Sequence, residues 1–144
     1  MGLQRVNEIM NMSQSNKEIV RELVDAVTAG DADGILKNLA NDLTWTFFGS
    51  HRFAGTLNGK EELMAGLFAV VAEVLEDGIK VTVKSMIADE DYVVVEGKGK
   101  AGRSKSGLDY NNDYCLVFEV HNSKIQHVRQ YLDSELVNRV FGRG

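Results

Sequence analysis

Few side chains here are equipped to move protons or hold metals. The chain has three histidines, His51, His121 and His127, and one cysteine, Cys115. The histidines lack metal-ligand spacing, and a lone thiol forms neither an intramolecular disulfide nor a thiolate cluster. No metal and no cofactor are expected. Cys115 reads as a small buried apolar residue. His51 lies in a glycine-bearing loop and is either a solvated residue or an acid/base at the rim of a site. His121 falls in a turn, and His127 alternates with inward positions and should face outward. Asp89-Glu90-Asp91 reads as a solvated turn.

Polar groups concentrate on an apolar face near the C-terminus. Tyr110 to Val120, a turn over His121-Asn122-Ser123-Lys124, and Ile125 to Asp133 predict a β-hairpin. One face of the first run carries Tyr110, Asn112, Tyr114, Leu116 and Phe118. Aromatics and an amide at one end of an apolar row suit the floor of a ligand pocket. Tyr114 and Asn112 are then either pocket-lining or satisfied core polar groups.

The rest of the chain must supply walls. Ser15 and Glu18 form a capping box, which predicts a helix start with Ile19, Leu23, Ala26 and Val27 on one face. Residues 1–14 then form a flexible leader and 15–144 a single domain. Asp31 caps a short second helix with Ile35, Leu36 and Leu39 as its stripe. Leu43 to Phe48 is a strand whose Trp45 is either pocket wall or plain core. The loop 49–59, with His51, Arg52 and Phe53, is predicted as a pocket rim. Lys60 to Leu75 is a third helix, its stripe of Leu63, Leu67, Val70, Val71 and Val74 broadened by Met64 and Phe68. Ile79 to Ala88 and Tyr92 to Lys100 are strands. Gly97 and Gly99 in the second mark a bend or close approach, and are read as leaving empty space over their face. A short helix starts at Ser134. Helices first and antiparallel strands last predict an α+β domain, a curved sheet over helices.

Composition narrows the function classes. The 144 residues, 44% hydrophobic and 26% charged, suffice for one domain with its own core. A net charge of −5 with scattered basic residues argues against nucleic acid and anionic membrane as partners. No apolar run approaches the roughly 18–20 residues of a membrane span, and no secretory signal is visible. A reduced, cytoplasmic setting is the simplest expectation.

Ala29-Gly30-Asp31, Asn41-Asp42-Leu43-Thr44-Trp45, Gly55…Gly59-Lys60-Glu61 and Phe118-Glu119-Val120…Arg129-Gln130-Tyr131-Leu132-Asp133 stand in an order that resembles the SnoaL-like branch of the nuclear-transport-factor-2-like superfamily. The resemblance runs from about Asn16 to Val137. It implies a cone-shaped α+β barrel, with a curved, mostly antiparallel sheet wrapped over three N-terminal helices. It also implies a pocket between sheet and helices, and a homodimer through the sheet. It does not choose a function, because the superfamily holds ketosteroid isomerases, limonene-epoxide hydrolases, polyketide cyclases and non-catalytic binding modules.

The relatives' catalytic positions are changed here. The epoxide hydrolases' water-activating carboxylate falls on Gln130, which cannot take a proton; their arginine and second aspartate fall on Gly97 and Gly99. The isomerases' base falls near Phe47 and their oxyanion-hole tyrosine near Leu23, leaving Tyr114 as the surviving donor. The implied parity places Trp45, Phe47, Asn112, Tyr114, Val128, Gln130 and Leu132 inward as ligand-binding candidates, with Phe53 at the rim. Arg129, Tyr131 and Glu96 face outward. Asp133 either packs on the dimer side or turns into the pocket mouth as an acid/base. The expectation is a binder of a small, moderately hydrophobic or partly polar molecule. The alternative is a cofactor-free isomerase, cyclase or hydrolase with relocated acid/base residues.

Overall fold

The computed structural model describes residues 2–143. Helix α1 (Gly2–Ala29) leads through an elbow at Gly30 to α2 (Ala32–Lys37). Strands β1 (Leu39–Phe47) and β2 (Gly55–Asn58) follow. The third helical stretch comprises α3 (Gly59–Leu63), a π-helical turn (Met64–Phe68) and α4 (Ala69–Val74). Strands β3 (Val81–Asp89), β4 (Tyr92–Gly99), β5 (Asp113–His121) and β6 (Lys124–Leu132) precede α5 (Ser134–Phe141).

The sheet order is β2-β1-β6-β5-β4-β3, and it is open. The last four strands make the expected meander. β1 joins it parallel to β6, the one parallel pairing, and β2 adds antiparallel at the edge. α1 lies across β3 and β4, and α3 packs on β1. This is the expected α+β cone.

Local chemistry explains the elements. Asp31 caps α2 by accepting the Gly34 N–H at 3.0 Å. Asn122 and Ser123 both take positive φ in the two-residue turn between β5 and β6, whose twist matches that of the strands. α1 departs from the sequence reading: it starts at Gly2, and Ser15 and Glu18 lie in mid-helix. Its buried stripe is Val20, Leu23, Val24 and Ala26, and it first meets the domain where the Asn16 amide donates to the Glu90 carbonyl at 3.1 Å. Leu39, expected on α2, opens β1 instead. β2 lies in the stretch 49–59, expected as loop; it is a four-residue edge strand that begins at Gly55 itself.

Gly97 and Gly99 do not leave room. A Cβ at Gly97 would stand 2.7 Å from Val81 Cγ1; at Gly99 it would stand 2.9 Å from the Asn111 Cα. Both are close-approach positions, one filled by a side chain and the other by backbone. Backbone cannot swing aside as a methyl can. We therefore expect Gly99→Ala to destabilise by about 1–3 kcal/mol and Gly97→Ala by less, as read from urea unfolding midpoints. Equal losses would place the crowding elsewhere.

Candidate functional site

A cavity of about 70 Å³ lies between the concave face of the sheet and the helices. α1 contributes Leu23, Val24 and Val27; the π turn contributes Leu67 and Phe68. Trp45, Val95, Leu116 and Phe118 form the sheet side, and Ile79 and Val81 close one end. Trp45 meets Phe68 and Phe118 edge-on, at ring-centroid distances of 6.4 and 6.5 Å.

Besides Trp45, only Tyr114 and Gln130 among the residues of this wall carry polar side-chain atoms. Leu116 pairs with Gln130 and Tyr114 with Leu132, so Tyr114 and Gln130 are diagonal neighbours on one face of β5 and β6. Gln130 Oε1 accepts the Trp45 indole N–H at 2.9 Å. That bond orients the amide and leaves its NH₂ as the end available to a guest. The Tyr114 hydroxyl is buried and has no hydrogen-bond partner. Burial, then the neighbouring Tyr110 hydroxyl, pushes its pKa well above 10. The Tyr110 hydroxyl lies beside it as a weak partner, outside strict hydrogen-bond geometry. Tyr114 is therefore a neutral donor without a well-formed hydrogen bond.

Trp45, Tyr114 and Gln130 are the expected site residues that the cavity brings together. Asn112 faces inward and is fully buried, but its amide is spent within the protein. Its Nδ2 donates to Tyr110 Oη and to the Asp133 carbonyl, both at 3.1 Å. Its Oδ1 accepts the Asp113 N–H at 2.8 Å and the Asp133 N–H at 2.9 Å. All four valences of the amide are filled.

Phe47, Phe53, Val128 and Leu132 lie outside the cavity wall. Phe47 packs on Phe53 at 5.8 Å, Phe53 on Phe141 at 5.2 Å, and Phe141 on Tyr110 at 5.0 Å. These rings fill the end of the cone where a loop rim was expected. Val128 is fully buried core and Leu132 half-buried beside it.

The two rim candidates are engaged elsewhere. His51 Nδ1 accepts the Phe53 N–H at 3.1 Å, so its Nε2–H donates to the Phe48 carbonyl at 3.1 Å. Asp133 caps α5, accepting from the backbone N–H groups of Glu135 and Leu136 at 3.0 and 3.3 Å. Neither side chain reaches the cavity. Glu96 accepts from Ser85 on the outer face, at 2.7 Å. Cys115 is half-exposed on that face, not buried. Among the described residues no group of three His, Cys, Asp or Glu side chains could hold a metal ion. No helix there is long and apolar enough to cross a membrane.

The sequence reading missed the helical half of the wall. Val24 was not placed in the stripe of α1, and Leu67 and Phe68 were read as core. The unusual width of that third stripe, with Met64 and Phe68 added to it, was the available signal.

A curved open sheet over three helical stretches, with a small apolar hollow between, defines a cone-shaped α+β domain. The sequence matches the SnoaL-like domain model over residues 20–128, and the chain belongs to that family. Solved structures agree on the fold. An NTF2-like protein from Burkholderia xenovorans is 28% identical, with 90% of this chain and 97% of that one covered at a TM-score of 0.73. TerC, co-crystallised with polyporic acid, is 19% identical, with coverages of 88% and 98% and a TM-score of 0.74. A limonene-epoxide-hydrolase-like epoxide hydrolase from M. tuberculosis is 22% identical, with 90% of each chain covered and a TM-score of 0.72. No curated protein sequence matches the chain.

The buried tyrosines make the fold pH-sensitive at the alkaline end. Burial raises Tyr110 as well as Tyr114 above 10. Ionising them costs the folded state more than the unfolded one. The stability this represents is intact below the free-tyrosine value and falls as pH rises through their raised values. Ultraviolet titration of the four tyrosines should show two that ionise late, and Tyr114→Phe should remove one of them. Four superimposed ordinary titrations would contradict the burial described above.

Proposed function

We propose that this protein binds a small, neutral, mainly apolar molecule and holds its acceptor atom with the Tyr114 hydroxyl and the Gln130 amide NH₂. The observation that carries this reading is the unpartnered Tyr114 O–H in an otherwise apolar hollow. A buried donor without a partner costs about 1–3 kcal/mol, and a guest acceptor removes that cost. The wall carries no carboxylate, histidine or cysteine side chain. That favours holding a molecule over transferring its protons, because general acid/base chemistry needs a titratable group within hydrogen-bond reach. The structure of TerC with polyporic acid supports a small-molecule role for a cone of this kind.

A short straight-chain methyl ketone, followed by Trp45 fluorescence, tests the reading. Tyr114→Phe should weaken binding by about 0.5–1.5 kcal/mol, and Gln130→Leu should weaken it as well. Stability should stay level or rise in Tyr114→Phe, because an unsatisfied hydroxyl is removed. Binding unchanged in both variants would overturn the assignment.

We further propose that the protein works as a homodimer, with the convex face of the sheet against a second copy. Phe48 and Tyr131 stack on that face at 4.9 Å with 42% and 43% exposure, and Ile87 is 62% exposed. The Arg129 guanidinium lies 5.8 Å over the Tyr92 ring beside them. Sedimentation at micromolar concentration should give the dimer mass, and Tyr131→Glu should halve it. A wild-type monomer under those conditions would refute the proposal.

A further inference from the structure

Three side chains line two hollows at once. Val27, Phe68 and Ile79 belong to the wall of the 70 Å³ cavity and also to a groove of about 350 Å³ on the helical side of the domain. All three are half-buried, unlike the fully buried core around them. Phe68 also borders a shallow depression formed with Glu61, Met64, Ala65 and Ala69. One aromatic ring thus stands between three neighbouring hollows.

The backbone under that ring is irregular. Phe68 closes the π turn, where the Ala69 N–H reaches back to the Met64 carbonyl. Such turns are rare and are frequent at functional sites. Gly66 in the same turn admits the Leu57 side chain, which a Cβ there would meet at 2.7 Å. It also lowers the turn's helix propensity.

We propose that the cavity and the groove are two chambers of one elongated binding cleft, closed in this structure by Phe68, and that the occupant is an elongated apolar molecule with its acceptor end at Tyr114. The inference rests on the binding reading above and adds the entry route and the shape of the guest. The inner chamber alone, at about 70 Å³, has room for a few water molecules. A drug-sized ligand occupies a site of roughly 300–1,000 Å³. The groove alone reaches the lower end of that range but has no Tyr114 in its wall; only the joined chambers give a site of that size with Tyr114 at one end, and they join when Phe68 turns aside. The depression over Ala65 and Ala69 is where the ring has room to go. Val27 and Ile79 remain as the fixed sides of the neck.

Trp45 is the only tryptophan, lines the inner chamber and touches Phe68, so it reports the gate without any ligand. Acrylamide should quench Trp45 weakly in the wild type, where it is 4% exposed. Quenching should rise several-fold in Phe68→Ala and to an intermediate level in Phe68→Leu, which preserves an apolar filling if the alanine variant unfolds. Ile87→Ala, on the opposite face of the sheet, should not change it. Equal quenching in wild type and folded Phe68 variants would overturn the gate.

A second arm uses straight-chain methyl ketones of increasing length. Beyond the length that the inner chamber holds, each methylene buried in the groove should tighten binding by about fourfold. Ala72→Phe, which fills the groove, should remove that gain and spare the shortest ketones. Short ketones that bind with no gain on lengthening would overturn the two-chamber cleft and leave the inner-site reading standing. No binding at any length, in the wild type or with the gate opened by Phe68→Ala, would overturn both.

Discussion

The amide of Asn112 holds the wall of the site in place. It is fully buried and makes four hydrogen bonds, tying the entry of β5 to the exit of β6 and the cap of α5. Two residues on, Tyr114 starts the inward row; one residue past β6, Asp133 starts the last helix. The open base of the hairpin would otherwise leave part-buried backbone groups of Asp113 and Asp133 without these partners. The same amide donates to the Tyr110 hydroxyl, which keeps its own O–H and a second lone pair. Polar groups at the base of the hairpin are thus satisfied, while the Tyr114 hydroxyl just inside it lacks a partner of good geometry.

That division gives the cone two unlike ends. Under α5, Phe47, Phe53, Phe141 and Tyr110 interlock ring to ring. Towards the π turn the wall is aliphatic except for Trp45, Phe68, Tyr114, Phe118 and Gln130, and the packing is incomplete. Dispersion contacts are lost wherever a wall atom has nothing opposite it. The hollow is therefore a cost that core packing would normally remove, concentrated where a hydroxyl also lacks a partner.

The sheet was legible because period-two alternation survives in Leu43–Trp45–Phe47, in Tyr110 to Phe118 and in Val128–Gln130. Each of those rows does face inward. The helix over residues 59–74 was legible from its stripe, but the π turn was not, since a single wide turn leaves Leu63, Leu67 and Val71 on one face. The start of α1 was misread because Ser15 and Glu18 satisfy a local capping pattern that a continuing helix does not need. Asn112 shows the limit of reading a site from a row of residues. Sequence marks it as inward and polar, and only the meeting of distant segments decides that its valences are used. The glycines carry a related lesson: Gly97 and Gly99 signalled proximity, and what came close was Val81 and the 111–112 backbone.

Helix α1 has one further consequence. Its 28 residues would span about 42 Å at 1.5 Å per residue, yet its buried side chains begin only at Asn16. The preceding turns expose Leu3, Val6 and Met10 and gain nothing from tertiary packing. An isolated peptide of that length would barely be helical, because nucleation is unfavourable. Here the anchored half acts as a preformed nucleus, so the outer turns need only propagation. They should melt progressively from the tip, as a sloping baseline ahead of the cooperative transition, with the packed body unaffected. The molecule thus joins a zipper-like segment to an all-or-none one within a single continuous helix.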